Sequence, residues 1–197
     1  MFRKLLFILA LIVSVSSSQA AESEHADRVL GLDGEQLGGD FILRSSQGEL
    51  SLQQLRGKVV VLYFGYTKCP DVCPSSLAIL SQALNELSDD ELQQVQGVFI
   101  SVDPKRDGFQ DLDDYVSYFH PNLIGVTGSE AEIAQVAKLY GAQYVEVPLE
   151  GSAFAYAVDH SATIYLVSPQ GELRLLLPHQ TPSVMILEAI RYLLAEG

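Results

Sequence analysis

The sequence has no tryptophan, and only two of its 197 residues are cysteines and two are methionines. Basic residues are also scarce: 12 lysines and arginines stand against 25 aspartates and glutamates, for a formal net charge of −13. An excess of negative charge repels phosphate backbones and anionic membrane surfaces, which argues against nucleic acid as a partner. Two cysteines are too few for a disulfide-dense framework. Internal repeats, low-complexity tracts and signs of a second domain are also missing.

Only one long hydrophobic run is present, and it stands at the start of the chain. Arg3 and Lys4 precede an apolar stretch over residues 5–15, and small residues then lead to Ala20. This pattern is typical of an export signal over residues 1–20 that is cleaved after Ala20. An uncleaved inner-membrane anchor is the alternative, although a spanning helix needs about 20 apolar residues. In either case we expect the rest of the chain to be periplasmic or otherwise extracytoplasmic. If the segment is uncleaved, it is the part of the protein that contacts the membrane.

The rest of the chain is predicted to form one α/β domain over residues 40–197, after a flexible polar leader over residues 21–39. Residues 41–52 have the pattern of an N-terminal β-hairpin. Strands alternate with helices, which predicts a mainly parallel central sheet flanked by helices, and a tight turn makes the last strand pair antiparallel. Helices are expected over 74–87, 111–119, 130–140 and 182–195, and strands over 59–64, 98–102, 123–126, 162–167 and 172–177.

Both cysteines, Cys69 and Cys73, lie in the loop that follows the first buried strand. Ligand sites in open α/β sheets gather at such strand ends. A disulfide that closes so small a loop stabilises the fold little, which favours a redox or metal role. Thioredoxin-type redox loops have two residues between their cysteines, whereas this loop has three. A disulfide and a shared metal ion both remain open, and two thiolates would select copper(I) or zinc over magnesium or calcium.

Prolines follow both cysteines and predict the backbone around them. A residue before proline disfavours the helical conformation, so we expect Cys69 and Cys73 to lie outside helices. Pro74 then fits the first helical position, with Cys73 as the cap residue. At the positive end of the helix dipole, the pKa of Cys73 is expected to be lowered.

A third ligand could come from one of four histidines, and the residues alone leave the choice open. His25 lies in the leader, and His120 precedes a proline between a helix and a strand, where a surface or capping role is expected. His179 is interpreted as a loop residue. His160 stands just before a predicted strand, where a lone histidine is more often structural than a ligand.

Two aspartates are candidates for a supporting role around such a site. Asp159 precedes His160 and could fix its tautomer from outside the ligand set. Asp71 lies between the cysteines, where it could tune the charge or help a second metal, or serve as a turn residue. Asp103, which precedes a proline after a strand, is interpreted as a turn residue.

Four separated segments together resemble the Sco/SenC/PrrC family: residues 62–74, 99–104, 124–128 and 158–162. They fall in family order, and the resemblance runs from about Gly39 to the end of the chain. It implies a thioredoxin-like fold that binds copper, as Cu(I) or Cu(II), through Cys69, Cys73 and His160. It also implies a role in cytochrome c oxidase assembly.

The resemblance favours a metallochaperone, not an enzyme, that delivers one copper ion to the dicopper site of oxidase subunit II. Other copper donors or thiol–disulfide reductants are further expected partners. Three alternatives stay open: a thiol–disulfide reductase that acts on the cysteines of the oxidase subunit, a copper or redox sensor, and a peroxiredoxin-type peroxidase. Two features depart from the family: the N-terminal apolar run is short, and residues 146–157 are unusually rich in small and apolar residues.

Overall fold

The computed structural model describes residues 29, 31, 34–149, 151 and 155–197. The predicted signal over residues 1–20 and His25 lie outside these residues. Among the helices of the described ranges, none is both long and apolar enough to span a membrane.

A five-stranded mixed sheet forms the centre of the molecule. Its strands, in sheet order, are β5 (Leu123–Val126), β4 (Val95–Ser101), β3 (Val59–Gly65), β8 (Ile164–Val167) and β9 (Leu173–Leu177). The β3–β4 and β4–β5 pairs are parallel, whereas β8 and β9 are antiparallel to their neighbours. β3 and β4 are buried along their whole length, as expected for central strands covered on both faces. The predicted mixed α/β sheet is confirmed.

Within the described residues, five α-helices surround the sheet. They are α1 (Val72–Asn85), α2 (Asp89–Gln93), α3 (Phe109–Phe119), α4 (Glu130–Tyr140) and α5 (Ser183–Glu196). α4 has the bounds that the sequence predicted, because both of its ends carry clear signals. Ser129 and Glu132 form a reciprocal capping box at its start, and Gly141 ends it with a left-handed φ of +67°. The short helix α2, which was not predicted, begins with the same box at Ser88.

The described ranges also contain two small hairpins beside the central sheet. The first pairs β1 (Ile42–Ser45) with β2 (Gly48–Ser51), leads into a 3₁₀ helix over Leu52–Leu55, and confirms the predicted N-terminal hairpin. The second pairs β6 (Tyr144–Pro148) with β7 (Tyr156–His160) and was missed. Its strands are mostly exposed or half-buried, so they lack a clear buried alternation. His160 therefore ends a strand, whereas the sequence placed it in the loop before one.

Residues 34–39, which the sequence assigned to a flexible leader, are held against the end of α4. Gly38 donates its N–H to the carbonyl of Leu139 at 2.7 Å. The Tyr140 hydroxyl donates to the carbonyl of Gly39 at 2.9 Å. The ordered domain therefore begins before residue 40, because the backbone of this segment hydrogen-bonds to the last turn of α4.

Candidate metal site

The cysteine loop joins the end of β3 to the start of α1. Cys69 donates its N–H to the carbonyl of Tyr66 at 3.2 Å, and Asp71 is the residue that precedes the helix. The prediction that Cys73 lies outside the helix as its cap is wrong, because Cys73 is the second helical residue. Pro74 is tolerated at the third position, since an N–H there has no partner inside the helix. The first turn closes where Ser75 donates its N–H to the carbonyl of Asp71 at 3.1 Å.

The two cysteines are reduced and differ in exposure. Cys73 is fully buried, whereas Cys69 is 9% exposed. The backbone N–H of Cys73 donates to the sulfur of Cys69 at 3.4 Å. Gly65 permits this packing, because a Cβ at its position would lie 2.7 Å from the Cys73 sulfur. Cys69 is therefore the less deeply buried of the two cysteines.

His160 brings an imidazole to both sulfurs from the end of β7. Its Nε2 lies 3.2 Å from the Cys73 sulfur and 4.0 Å from the Cys69 sulfur. Its Nδ1 lies 3.2 Å from the carbonyl oxygen of Ser161, a contact that favours the tautomer with the proton on Nδ1. The lone pair of Nε2 then faces the sulfurs.

Two tyrosine rings enclose this imidazole. Tyr63 and Tyr66 meet His160 edge to face, with ring centroids 6.1 and 5.9 Å from that of the imidazole. The Tyr63 hydroxyl also donates to the carbonyl of Val72 at 3.4 Å, at the start of α1. These rings restrict the orientation of the half-buried imidazole.

The hydrogen bond between the cysteines separates their acidities. The hydrogen bond from the Cys73 side chain to the Cys69 sulfur lowers the pKa of Cys69 to about 3. Burial, followed by the same hydrogen bond, raises the pKa of Cys73. The predicted lowering of the Cys73 pKa is therefore wrong, since desolvation of a fully buried thiolate outweighs the helix dipole.

The three side chains form a set of soft donors around one point. Both sulfurs and one imidazole nitrogen lie within 4.8 Å of one another. With metal–ligand bonds of about 2.0–2.3 Å, small side-chain rotations let one ion bridge all three. Thiolate and imidazole ligands suit copper or zinc, whereas magnesium and calcium prefer oxygen.

The two candidate supporting aspartates do not contribute to this donor set. Asp71 is exposed, and its side chain forms no cap bond to the helix; its carbonyl accepts from Ser75 instead. Asp159 is also exposed and pairs with Val145 across the hairpin. The partner that the structure gives to Nδ1 of His160 is the Ser161 carbonyl.

Two other histidines have structural contacts outside the donor set. His120 ends α3, is buried, and accepts from the N–H of Asn122 at 3.0 Å. His120 is the residue that caps the C-terminal end of α3, which confirms the predicted capping role. Because it is buried, it is not a surface residue. His179 lies in the loop after β9, as predicted, with its Nδ1 2.9 Å from the hydroxyl of Ser76.

The segment after β4 supports the site, and sequence reasoning missed it. The buried carboxylate of Asp107 accepts from the N–H of Thr67 at 3.0 Å and from its hydroxyl at 2.6 Å. It also accepts from the Ser101 hydroxyl at 2.6 Å. Asp103, interpreted only as a turn residue, contacts Arg106 and Tyr156. The available signal was a run of charged residues directly after a buried strand.

Known proteins match this chain over most of its length. A family model described as SCO1/SenC matches residues 31–195. A mitochondrial SCO1 homologue of Arabidopsis thaliana is 44% identical over 135 residues, which cover 68% of this chain and only 40% of the relative. An SCO2-like protein of Rickettsia conorii is 33% identical over 177 residues, and the match covers 86% of this chain and 86% of the relative. The crystal structure of Arabidopsis thaliana ScoI with copper bound superimposes with a TM-score of 0.75 at 37% identity, covering 82% of this chain and 99% of that one.

Proposed function

Because the chain belongs to the SCO1/SenC family, we propose that it binds one copper ion through Cys69, Cys73 and His160 and serves cytochrome c oxidase assembly. The observation that carries this proposal is the convergence of two sulfurs and one imidazole nitrogen within 4.8 Å. Copper(I) prefers this kind of donor set. The copper-bound state of the Arabidopsis ScoI structure supports the choice of metal.

We also propose that the protein delivers the ion to the dicopper site of oxidase subunit II. The reduced pair of cysteines and His160 would hold copper(I) in a three-coordinate site, and copper(II) would add a water or carboxylate. Cys69 is the more exposed sulfur, so an acceptor thiolate would displace it first in a ligand exchange. We place this exchange outside the cytoplasm, where an export signal over residues 1–20 would send the domain.

Substitution of His160 tests the three-ligand site. The reduced His160→Ala protein should bind copper at least about 100-fold more weakly than the wild type, because one of three donors is lost. Affinity is measured by competition with a chelator of known strength, and stoichiometry by elemental analysis. His179→Ala is the matched control, since His179 lies outside the group of three donors. Unchanged affinity in His160→Ala would exclude His160 as a ligand.

A thiol–disulfide reductase is the second candidate, and the difference between the two cysteines favours it. The Cys69 thiolate would attack a partner disulfide and form a mixed disulfide, with release of one partner thiolate. Cys73, after losing its proton, would attack the Cys69 sulfur and release the second partner thiolate. The partner gains two electrons, and the Cys69–Cys73 disulfide must be reduced by an external thiol before the next cycle. This chemistry does not need His160.

The alkylation rate of Cys69 tests this arrangement of the two thiols. In the reduced, metal-free protein, iodoacetamide should modify Cys69 at a rate that falls only as the pH approaches about 3, to which value the pKa is lowered. In Cys73→Ala, the lost hydrogen bond should move this fall towards the ordinary thiol value of about 8.5. Mass spectrometry of the modified peptide reports the site. A wild-type profile centred near the ordinary value would contradict the assignment of Cys69 as the nucleophile.

A further inference from the structure

The hairpin that carries His160 is not part of the central sheet. In the part of the chain that the structure describes, β6 and β7 pair with each other in a two-stranded sheet and with no other strand. An isolated two-stranded hairpin has marginal stability in water. The position of His160 relative to the cysteines therefore depends on the side chains that attach this hairpin to the rest of the fold.

Asp103, Arg106 and Tyr156 provide one such attachment, which we call the clasp. The Tyr156 hydroxyl donates to one oxygen of the Asp103 carboxylate at 2.7 Å, and the Arg106 Nε donates to the other. Arg106 also donates through a terminal nitrogen to the carbonyl of Tyr156 at 2.8 Å. Its guanidinium lies 3.7 Å from the centroid of the Tyr156 ring. The clasp thus hydrogen-bonds to both the backbone and the side chain of Tyr156, the first residue of β7.

The acceptor at the centre of the clasp, the Asp103 carboxylate, is shielded from water. Asp103 is 2% exposed, so its carboxylate is bonded inside the protein. Hydrogen bonds to a buried charge are stronger than those between neutral groups. On the surface, Lys105 adds an ion pair to Glu146 of β6 at 2.6 Å. Because both Lys105 and Glu146 are about half exposed, this pair contributes little.

The same short segment also holds the other half of the metal site. Asp107 binds the backbone and the hydroxyl of Thr67, two residues before Cys69. The Arg106 guanidinium lies 5.5 Å from the centroid of the Tyr66 ring, which packs against His160. Residues 103–107 are therefore bonded to the cysteine loop on one side and to the His160 hairpin on the other.

We propose that Arg106 and Tyr156 are positioning residues that set the distance of His160 from the two cysteine sulfurs. This inference rests on the proposed function, in which His160 is a copper ligand. Arg106 and Tyr156 do not touch copper; they act by fixing the start of β7, whose other end carries His160. A metal site made from distant chain segments needs such a connection, since its ligands must be preorganised before binding.

The substitution Tyr156→Phe tests the clasp with the smallest change. It removes the hydroxyl that donates to Asp103 and keeps the ring beside the Arg106 guanidinium. We expect copper affinity in the reduced protein to fall about tenfold, as for the loss of one hydrogen bond to a charged group. The control is Tyr144→Phe, which removes a hydroxyl from the residue paired with His160 in the same hairpin and leaves the clasp intact.

A double-mutant cycle with His160→Ala shows whether the clasp acts through the histidine. Tyr156→Phe should weaken copper binding in the wild type and have no effect in the His160→Ala background. An equal effect in both backgrounds, or none in the wild type, overturns the proposal. If His160→Ala itself leaves copper affinity unchanged, the proposed function has failed instead.

A measurement without copper separates positioning from general destabilisation. In the metal-free reduced protein, Tyr156→Phe should speed hydrogen exchange of the amides of β6 and β7 and leave those of β3 and β4 unchanged. Arg106→Lys should have the same effect, because an ammonium cannot make the paired bonds of the guanidinium. Faster exchange throughout the central sheet, or none in the hairpin, would contradict a local positioning role.

Discussion

Oxidation of Cys69 and Cys73 to a disulfide should abolish copper binding, and the double substitution Cys69→Ser/Cys73→Ser should do the same. Both changes remove the two thiolates that would hold copper(I), and leave one imidazole from the set of three donors. The sequence has no other cysteine that could replace them. We expect a loss of at least about 1,000-fold in affinity, which is larger than the loss from His160→Ala alone.

Equilibrium dialysis against copper(I), with the protein in the reduced and in the oxidised form, measures this effect. Reduction of the disulfide form should restore one copper per chain, which controls for irreversible damage. The serine variant should bind no copper under either reducing or oxidising conditions. A disulfide form that retains one tightly bound copper would refute the proposed ligand set.

Replacement of Asp107 by alanine should be strongly destabilising. Its carboxylate accepts three hydrogen bonds inside the fold, from the N–H and hydroxyl of Thr67 and from the hydroxyl of Ser101. Alanine leaves these buried donors without that acceptor and opens a cavity beside the cysteine loop. We expect the free energy of unfolding to fall by about 3 kcal/mol, a large share of the roughly 5–15 kcal/mol of a typical domain.

Urea unfolding of the reduced, metal-free protein measures the loss. Asp107→Asn should be milder, because its amide oxygen still accepts and its nitrogen can donate to the Thr67 hydroxyl. Asp114→Ala, which removes an exposed carboxylate from α3, should change the free energy of unfolding by less than about 0.5 kcal/mol. If Asp107→Ala were as mild as Asp114→Ala, the hydrogen bonds to Asp107 would not support the loop.

Elements with strong local signals could be predicted from the sequence. The β-branched and aromatic run of β3 has no polar position, and α4 has a capping box at one end and a glycine at the other. The β6–β7 hairpin could not be found this way. Its strands are largely exposed, and they are stabilised by contacts with residues 103–107, which are distant in the chain.

The cysteine loop shows a further limit of local reasoning. Two prolines predicted that the helix begins after Cys73, yet α1 starts at Val72. Local preference for a helix boundary is weak, whereas the burial of Cys73 and of Leu77 in the core fixes the helix more strongly. The same burial reversed the expected direction of the Cys73 pKa shift.

The sequence by itself determined the α/β class, the parallel centre of the sheet and the position of two cysteines at a strand end. Hydrophobic periodicity, capping residues and cysteine spacing are local properties of the chain. Only the tertiary structure decided that the His160 nitrogen lies within 4.0 Å of both sulfurs and that Cys69 carries the lower pKa. Only the tertiary structure also showed that Asp107 hydrogen-bonds to the cysteine loop and that the clasp holds the hairpin that carries His160. Distances and desolvation arise from residues far apart in the chain, so local patterns do not contain them.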